Sequence, residues 1–232
     1  MLHMTDAGVY YIHHYIPKKE FEIHSEQERN FSRMIWDYKD GKKMAHDCLD
    51  RELTQAIVEL SKDIRTRNIC LVAVPPSKVK KFSPVRASIQ RITEMLQQDK
   101  EFQGTVPQIV RGYKWLISRT SDIVTSHTER RATYDEQIAS LQCKRNDLGS
   151  WNSTFIILDD VTTRGTSMEA CRDLLLQCGA HEDQVICLSI AATVNHYYQN
   201  SYSMSVNTQM SNDEINPFYF LDASDLSDEL PF

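Results

Sequence analysis

The sequence lacks the features that mark membrane, secreted and zinc-ribbon proteins. No apolar run approaches the roughly 20 residues that a membrane-spanning helix requires, and even LVAVPP at 71–76 is short. The N-terminus lacks the basic and apolar segments of a signal peptide. Six cysteines occur without a CxxC pair, which argues against a zinc ribbon and against a disulfide framework. These absences predict a cytoplasmic protein without membrane contact.

The last quarter of the sequence lacks positive charge. No Lys or Arg follows Arg172, whereas acidic residues continue to Glu229. The net charge of −6 gives no general reason to expect nucleic-acid binding, so we expect no direct nucleic-acid partner. The remaining composition is that of a globular protein, and 232 residues are enough to bury a core.

Apolar periodicity predicts strands and helices in alternation along the chain. Strands are predicted at 8–16, 68–74, 106–117, 153–160 and 184–194, and helices at 26–39, 49–64, 83–96, 167–180 and from about Thr128. This alternation favours an α/β fold with a mostly parallel sheet flanked by helices. In such sheets, ligands collect at the carboxyl ends of the strands.

The stretch FIILDDVTTRGTSM at 155–168 carries the strongest functional signal. Four apolar residues lead into Asp159 and Asp160, whose carboxylates repel each other unless hydroxyl groups or a cation such as Mg²⁺ bind them. The hydroxyl-rich turn that follows could bind phosphate through its backbone N–H groups and the N-terminus of the next helix. Gly165 would let the backbone approach closely. The alternative is that the acids only cap the helix.

This stretch resembles the loop that binds phosphoribosyl pyrophosphate (PRPP) in type I phosphoribosyltransferases. Phe155–Leu158 fill the apolar places of that motif and the two aspartates fill the acidic ones. The one departure is Thr162, where the family usually has an aliphatic residue. The order of the parts, together with IWDYKDGKKMA at 35–45, resembles the ComF-like (competence-factor-like) subgroup over about 10–195. Many members carry an N-terminal zinc finger, and this sequence lacks its cysteines.

The resemblance implies the type I phosphoribosyltransferase fold and a transferase activity. The protein would bind PRPP with Mg²⁺ and transfer the 5-phosphoribosyl group to an unidentified nitrogen nucleophile, releasing pyrophosphate. Asp159 and Asp160 would be the catalytic residues and the candidate Mg²⁺ ligands. The implied PRPP-binding residues are Asp159, Asp160, Val161, Thr162, Thr163, Arg164, Gly165, Thr166 and Ser167.

Two further segments would hold the pyrophosphate. The first is the loop after the strand at 68–74, which in the family often carries a non-trans peptide, here Pro75–Pro76. The second is the polar region 119–142, where the family has a mobile catalytic hood. The implied pyrophosphate ligands are Pro76, Ser77, Lys78, Arg119, His127, Arg130 and Arg131. An ordinary edge turn and a solvated basic helix face are the respective alternatives.

The predicted organisation is one phosphoribosyltransferase-like domain, 1–200, and an acidic tail, 201–232. Within the domain, 1–66 is a hood and helical part and 67–200 is the core. The hood would come from segments 8–40 and 195–220, and its aromatic residues could stack on the acceptor or simply pack. These aromatic candidates are Tyr11, Tyr15, Trp36, Tyr197 and Tyr198.

The last nine residues, SDLSDELPF, resemble the acidic C-terminal tip of bacterial single-stranded-DNA-binding proteins. That resemblance implies a protein partner docked through Leu230, Pro231 and Phe232, and a link to DNA repair or uptake. The alternatives are a tail that folds back on its own domain or one without a role. For the whole protein, the alternative to a transferase is a non-catalytic sensor of PRPP or a nucleotide. The oligomeric state stays open.

Overall fold

A computed structural model describes residues 2–123 and 132–193. The chain divides into two units, Met1–Val194 and Asn195–Phe232. The acidic tail predicted at 201–232 therefore lies outside the described residues. No helix of the described part is long and apolar enough to cross a membrane.

The described residues form eight strands, five α-helices and three short 3₁₀ helices. The strands are β1 (His3–Met4), β2 (Val9–Tyr15), β3 (Asn68–Ala73), β4 (Ile109–Gly112), β5 (Ile117–Arg119), β6 (Leu141–Cys143), β7 (Ser153–Thr162) and β8 (Val185–Thr193). The helices are α1 (Glu26–Lys39), α2 (Lys43–Ser61), α3 (Pro84–Gln98), α4 (Tyr134–Ala139) and α5 (Thr166–Gln177). The 3₁₀ helices are Lys18–Ile23, Leu148–Trp151 and Glu182–Gln184.

Six of the strands form one sheet in the order β1-β2-β8-β7-β3-β4. All neighbouring pairs are parallel except β1 with β2. The prediction of an α/β fold with a mostly parallel sheet flanked by helices is confirmed. Strands β5 and β6 form a separate antiparallel hairpin.

The central strand β7 is covered on both faces, as strands of parallel sheets usually are. Its residues Phe155 and Ile157 pack into one apolar cluster, with α5 and the β5–β6 hairpin. Its residues Ile156 and Leu158 pack into the other, with α1, α2 and α3. Because strand side chains alternate between faces, the continuous apolar run FIIL serves both cores.

The sheet has a switch point between β3 and β7. From β3 the chain crosses through α3 to β4 on one side, whereas β7 pairs with β3 on its other side. The connections that leave β3 and β7 therefore diverge and open a crevice at the carboxyl ends of these strands. The aspartate pair of the sequence motif lies at this crevice.

A buried polar network joins the three helices on one face of the sheet. Arg91 Nε of α3 donates to Asp50 Oδ2 of α2 at 2.5 Å, and Arg91 Nη2 donates to His46 Nδ1. Burial, followed by the neighbouring Arg91 cation, lowers the pKa of His46, consistent with a neutral ring that accepts this bond. Tyr38 of α1 joins the network through the Ser88 hydroxyl, at 2.7 Å.

The substitution Arg91→Leu should destabilise the protein by about 3 kcal/mol, because it leaves a fully buried Asp50 carboxylate without its cation. Urea unfolding measures this loss. In the double variant Asp50→Asn/Arg91→Leu the buried charge is gone, so much of the stability should return. A loss below about 1 kcal/mol in the single variant would contradict the prediction, since it would match an exposed ion pair.

Candidate functional site

A cavity of about 340 Å³ opens at the carboxyl ends of β3 and β7. Its walls are the loop that follows β3, the N-terminus of α3, the end of β7 and the first turn of α5. All nine residues that the sequence analysis assigned to PRPP binding, Asp159 to Ser167, line it. The structure thus brings the whole predicted loop to one concave site.

Asp159 and Asp160 lie at the end of β7 and are both partly buried. Asp159 Oδ1 accepts the backbone N–H of Asp160 at 2.9 Å, and Asp160 Oδ1 accepts that of Val161 at 2.6 Å. These amides belong to β7, whereas the N-cap of α5 is Gly165 and provides no side-chain cap. The geometry therefore does not favour the alternative that the acids serve as helix caps.

Burial and the adjacent Asp160 carboxylate raise the pKa of Asp159 from its ordinary value of 3.8 to about 8. Lys39 and Arg119 oppose the rise, since each cation favours the charged form. A carboxyl group with this pKa is mostly protonated at pH 7. It can therefore donate a hydrogen bond as well as accept one.

Among the described residues, Lys39, the last residue of α1, supplies the cation that forms an ion pair with the aspartates. Its Nζ lies 3.3 Å from Asp160 Oδ1 and 6.0 Å from the centre of the Tyr15 ring. Burial acts against the charge on Lys39, but Asp160 and Asp159 outweigh it, and the pKa of the lysine is raised. Sequence reasoning missed this residue. Its only signal was the IWDYKDGKKMA segment, in which Lys39 stands at the end of the helix.

The first turn of α5 lines a concave part of the cavity beside the aspartates. Gly165 has φ +79°, a left-handed conformation that favours glycine, and an added Cβ would lie 3.3 Å from the Ala7 Cβ. Because Gly165 gives no side-chain cap, the first backbone N–H groups of the helix remain for a ligand. Thr166 and Ser167 line the cavity beside them, and the Thr162 side chain is buried.

The loop after β3 forms the opposite wall. Pro76 and Ser77, two of the predicted pyrophosphate ligands, line the cavity. Lys78 is exposed and is not among the lining residues, whereas Lys81 is. Sequence reasoning did not select Lys81, because spacing does not show which side chain a loop turns inward, and the role predicted for Lys78 stays a prediction. The Pro75–Pro76 bond is trans.

Arg119 of β5 also lines the cavity, and its guanidinium holds the loop after β3 through a hydrogen bond. Its Nε donates to the Pro76 carbonyl at 2.9 Å and its Nη2 to Gln137 Oε1 at 2.7 Å, while Nη1 donates to the Ser140 hydroxyl. Burial lowers the pKa of this arginine. It is only 8% exposed, so it contributes a fixed positive charge and holds the loop in place.

The remaining predicted residues either lie outside the cavity or lie outside the described part of the chain. Tyr11, Tyr15 and Trp36 are not among the cavity-lining residues, and Trp36 instead stacks on Phe21 with ring centres 5.2 Å apart. Phe82, which sequence reasoning missed, lines the cavity with 57% of its surface exposed. Outside the described residues lie His127, Arg130, Arg131, Tyr197, Tyr198, Leu230, Pro231 and Phe232.

No protein-family model matches this chain, and no curated protein matches it significantly. The described residues also contain no group of three or more His, Cys, Asp or Glu side chains that could hold a metal ion alone. A metal ion bound by Asp159 and Asp160 would take its further oxygen ligands from a substrate, from water or from other residues.

The substitution Asp159→Asn should stabilise the protein at high pH. The folded protein holds the Asp159 proton up to about pH 8, whereas the unfolded chain loses it near pH 4, so stability falls as pH rises through this window. Asparagine removes that fall, and each 1 kcal/mol gained raises Tm by roughly 2–4 °C. Thermal unfolding at pH 4.5, 6.5 and 8.5 should show a growing Tm difference. A constant difference would contradict the raised pKa.

The substitution Lys39→Met should lower stability at pH 8.5 by about 1 kcal/mol, because both aspartates lose their nearest cation in a partly buried site. Lys42→Met is the matched control on the same segment, since it removes a more exposed pair with Asp37. That control should cost clearly less than Lys39→Met, because an exposed ion pair stabilises a protein little. Equal losses in the two variants would show that Lys39 does not support the aspartate pair.

Proposed function

We propose that this protein binds PRPP with Mg²⁺ in the cavity and transfers the 5-phosphoribosyl group to a nitrogen nucleophile. The observation that carries the proposal is the pairing, in one cavity, of two adjacent carboxylates with the uncapped N-terminus of α5. A sugar diol and a phosphate on the same molecule need these two kinds of partner next to each other. The proposal includes a type I phosphoribosyltransferase fold of the ComF-like kind.

The residues divide between the parts of PRPP according to their chemistry. Asp159 and Asp160 would bind the two ribose hydroxyls, and the raised pKa of Asp159 lets it donate as well as accept. The turn from Thr162 to Ser167 would bind the 5-phosphate through backbone N–H groups and hydroxyls. On the opposite wall, Lys81 and the charge of Arg119 would face the pyrophosphate.

Mg²⁺ fits this set of donors. The ion usually binds one or two carboxylates together with substrate oxygens and water, and the cavity offers Asp159 and Asp160. When bound, it would supply charge neutralisation for the pyrophosphate. The two carboxylates would orient its substrate ligands at the ribose side of the cavity.

In the reaction, a nitrogen lone pair attacks C1 of the ribose and the bond from C1 to the pyrophosphate oxygen breaks. Pyrophosphate leaves with the electron pair of that bond, and the nucleophile loses a proton to water or to an ionised aspartate. The protein contributes chiefly by positioning the two reactants and by placing fixed charges near the leaving group. A cytoplasmic location remains part of the proposal, since all six cysteines are free thiols.

A non-catalytic PRPP or nucleotide sensor is the second candidate. One observation favours it: the three guanidinium nitrogens of Arg119 already donate to protein atoms. Among the described residues, three of its five N–H groups are therefore used within the protein, and two remain for pyrophosphate. The proposed partner at Leu230–Phe232, with its link to DNA repair or uptake, could accompany either candidate and rests on the tail sequence alone.

Titration of PRPP and Mg²⁺ into the full-length protein tests the proposal by calorimetry. We expect saturable binding that weakens about tenfold or more in Asp159→Asn/Asp160→Asn, because a hydrogen bond to a charged group such as the Asp160 carboxylate is worth about 1.5–3 kcal/mol. Lys42→Met, outside the cavity, is the control and should bind like the wild type.

The outcomes separate the candidates. Binding followed by pyrophosphate release with any of a panel of nitrogen acceptors supports a transferase. Binding without release supports a sensor. A wild-type protein that shows no saturable heat would overturn the ligand assignment for both.

A further inference from the structure

The ammonium group of Lys39 lies where it would interfere with a metal ion at the aspartate pair. Its Nζ is 3.3 Å from Asp160 Oδ1, and Lys39 lines the same cavity as both aspartates. Magnesium binds a carboxylate oxygen at about 2.0–2.1 Å, so an ion on Asp160 Oδ1 would lie no more than about 5.4 Å from Nζ. Two positive charges at that separation repel each other strongly in a partly buried site.

Of the two contacts that this oxygen makes, only the one with Lys39 can be exchanged for a ligand. Asp160 Oδ1 also accepts the backbone N–H of Val161 at 2.6 Å. That amide belongs to β7 and is fixed by the strand, whereas the long side chain of Lys39 has several rotatable bonds. The lysine is therefore the partner that an incoming cation has to displace.

The end of α1 fixes the backbone from which Lys39 reaches the cavity. The Asp40 N–H donates to the Trp36 carbonyl at 2.9 Å, and the Gly41 N–H donates to the Tyr38 carbonyl at 3.0 Å. Gly41 has φ +80°, the left-handed conformation that commonly ends a helix. Because the helix ends in a defined turn, the contact with the aspartates depends on the lysine side chain rather than on a mobile segment.

An aromatic ring lies on the other side of the ammonium group. Lys39 Nζ is 6.0 Å from the centre of the Tyr15 ring, a distance at which a cation is still attracted to the ring face. Trp36 Nε1 donates to the Tyr15 hydroxyl at 2.9 Å and so holds this ring in place. The ammonium can thus move away from Asp160 without leaving the cavity wall.

The other cations that line the described cavity do not make this contact. Lys81, Arg119 and Arg164 form no ion pair with either aspartate among the described residues. Arg119 donates instead to the Pro76 carbonyl, to Gln137 and to Ser140. A direct competition with a metal ion at the aspartates is therefore specific to Lys39 in this part of the chain.

We propose that Lys39 is an internal counter-ion that competes with divalent metal ions for the aspartate pair. The competition lowers the affinity of the pair for a metal ion alone, so that tight binding requires the added negative charge of a substrate. This inference rests on the proposed role of Asp159 and Asp160 as Mg²⁺ ligands. It makes Lys39 a positioning residue, because the lysine acts through the aspartates.

Binding of Mn²⁺ to the full-length protein at pH 7, without PRPP, tests the inference. Mn²⁺ takes the same oxygen ligands as Mg²⁺, and electron paramagnetic resonance measures its free concentration. We expect Lys39→Met to bind Mn²⁺ at least about tenfold more tightly than the wild type, and Mg²⁺ to displace it. Lys39→Gln should show the same gain if Lys39→Met does not fold. Lys39→Arg keeps the charge and should bind Mn²⁺ like the wild type.

Three controls separate the contact from the general charge of the protein. Lys42→Met removes the same charge from an exposed ion pair outside the cavity and should leave Mn²⁺ affinity unchanged within about twofold. Lys81→Met removes a cavity cation that forms no ion pair with the aspartates and should raise the affinity less than about threefold. Asp159→Asn/Asp160→Asn, added to Lys39→Met, should abolish the gain.

Equal Mn²⁺ affinity in the wild type and the neutral Lys39 variants would overturn the inference. A gain that survives loss of the aspartates would do the same, and so would an equal gain in Lys81→Met. The inference also fails when Lys39→Met shows no saturable Mn²⁺ binding. PRPP is absent from every arm, whereas calorimetry with PRPP judges the proposed function, so the two failures are distinguishable.

Discussion

Two adjacent carboxylates at the end of a buried strand are the constraint around which this structure is organised. Their mutual repulsion and their loss of water oppose ionisation, and the raised pKa of Asp159 expresses both. The fold meets the constraint with a protonated Asp159, with Lys39 at 3.3 Å from Asp160, and with the charge of Arg119 at the cavity wall. Each of these three features reduces the electrostatic repulsion between the aspartates when no ligand is bound.

The position of Lys39 depends in turn on the buried network between the helices. Its chain neighbour Tyr38 is fully buried and bonds to Ser88 of α3, so the end of α1 cannot shift without disturbing that contact. Asp50 and Arg91 connect α2 with α3 in the same layer. The buried polar network is thus connected to the cavity, because Tyr38 belongs to the network and the next residue, Lys39, lines the cavity. The ordinary core and the site are parts of one arrangement.

The sequence predicted those parts of the fold that depend on local spacing. The run FIIL before Asp159 indicated a buried strand, and apolar periodicity indicated α1, α3 and α5 close to their actual bounds. The short helix α4 was harder, because it begins only at Tyr134, where Thr133 and Glu136 form a capping box. Strand order was not predictable, since β2 pairs with β8 across most of the chain.

The residues of the site divide in the same way, into those that local sequence predicts and those that only tertiary packing brings together. Asp159 to Ser167 are consecutive, so one motif located them all. Lys39, Lys81 and Phe82 reach the cavity from other segments, and only packing decides which side chains of a loop or helix turn inward. Arg119 illustrates a second limit: its charge indicated a pyrophosphate ligand, but the sequence did not show that its hydrogen bonds also hold the Pro76 loop and α4. A residue's type indicates which interactions it can make, whereas its neighbours determine which ones it does make.

A neutral residue in place of either aspartate would remove the repulsion between the two carboxylates. Places where a sequence keeps an arrangement that weakens the fold are typically places where the arrangement does something else. Here the costly groups line a cavity, next to a helix N-terminus that no side chain caps, at the switch point of a parallel sheet. A buried ion pair placed only for stability would not need a cavity of about 340 Å³ in front of it. The charge arrangement therefore supports the proposal that a ligand binds at this cavity.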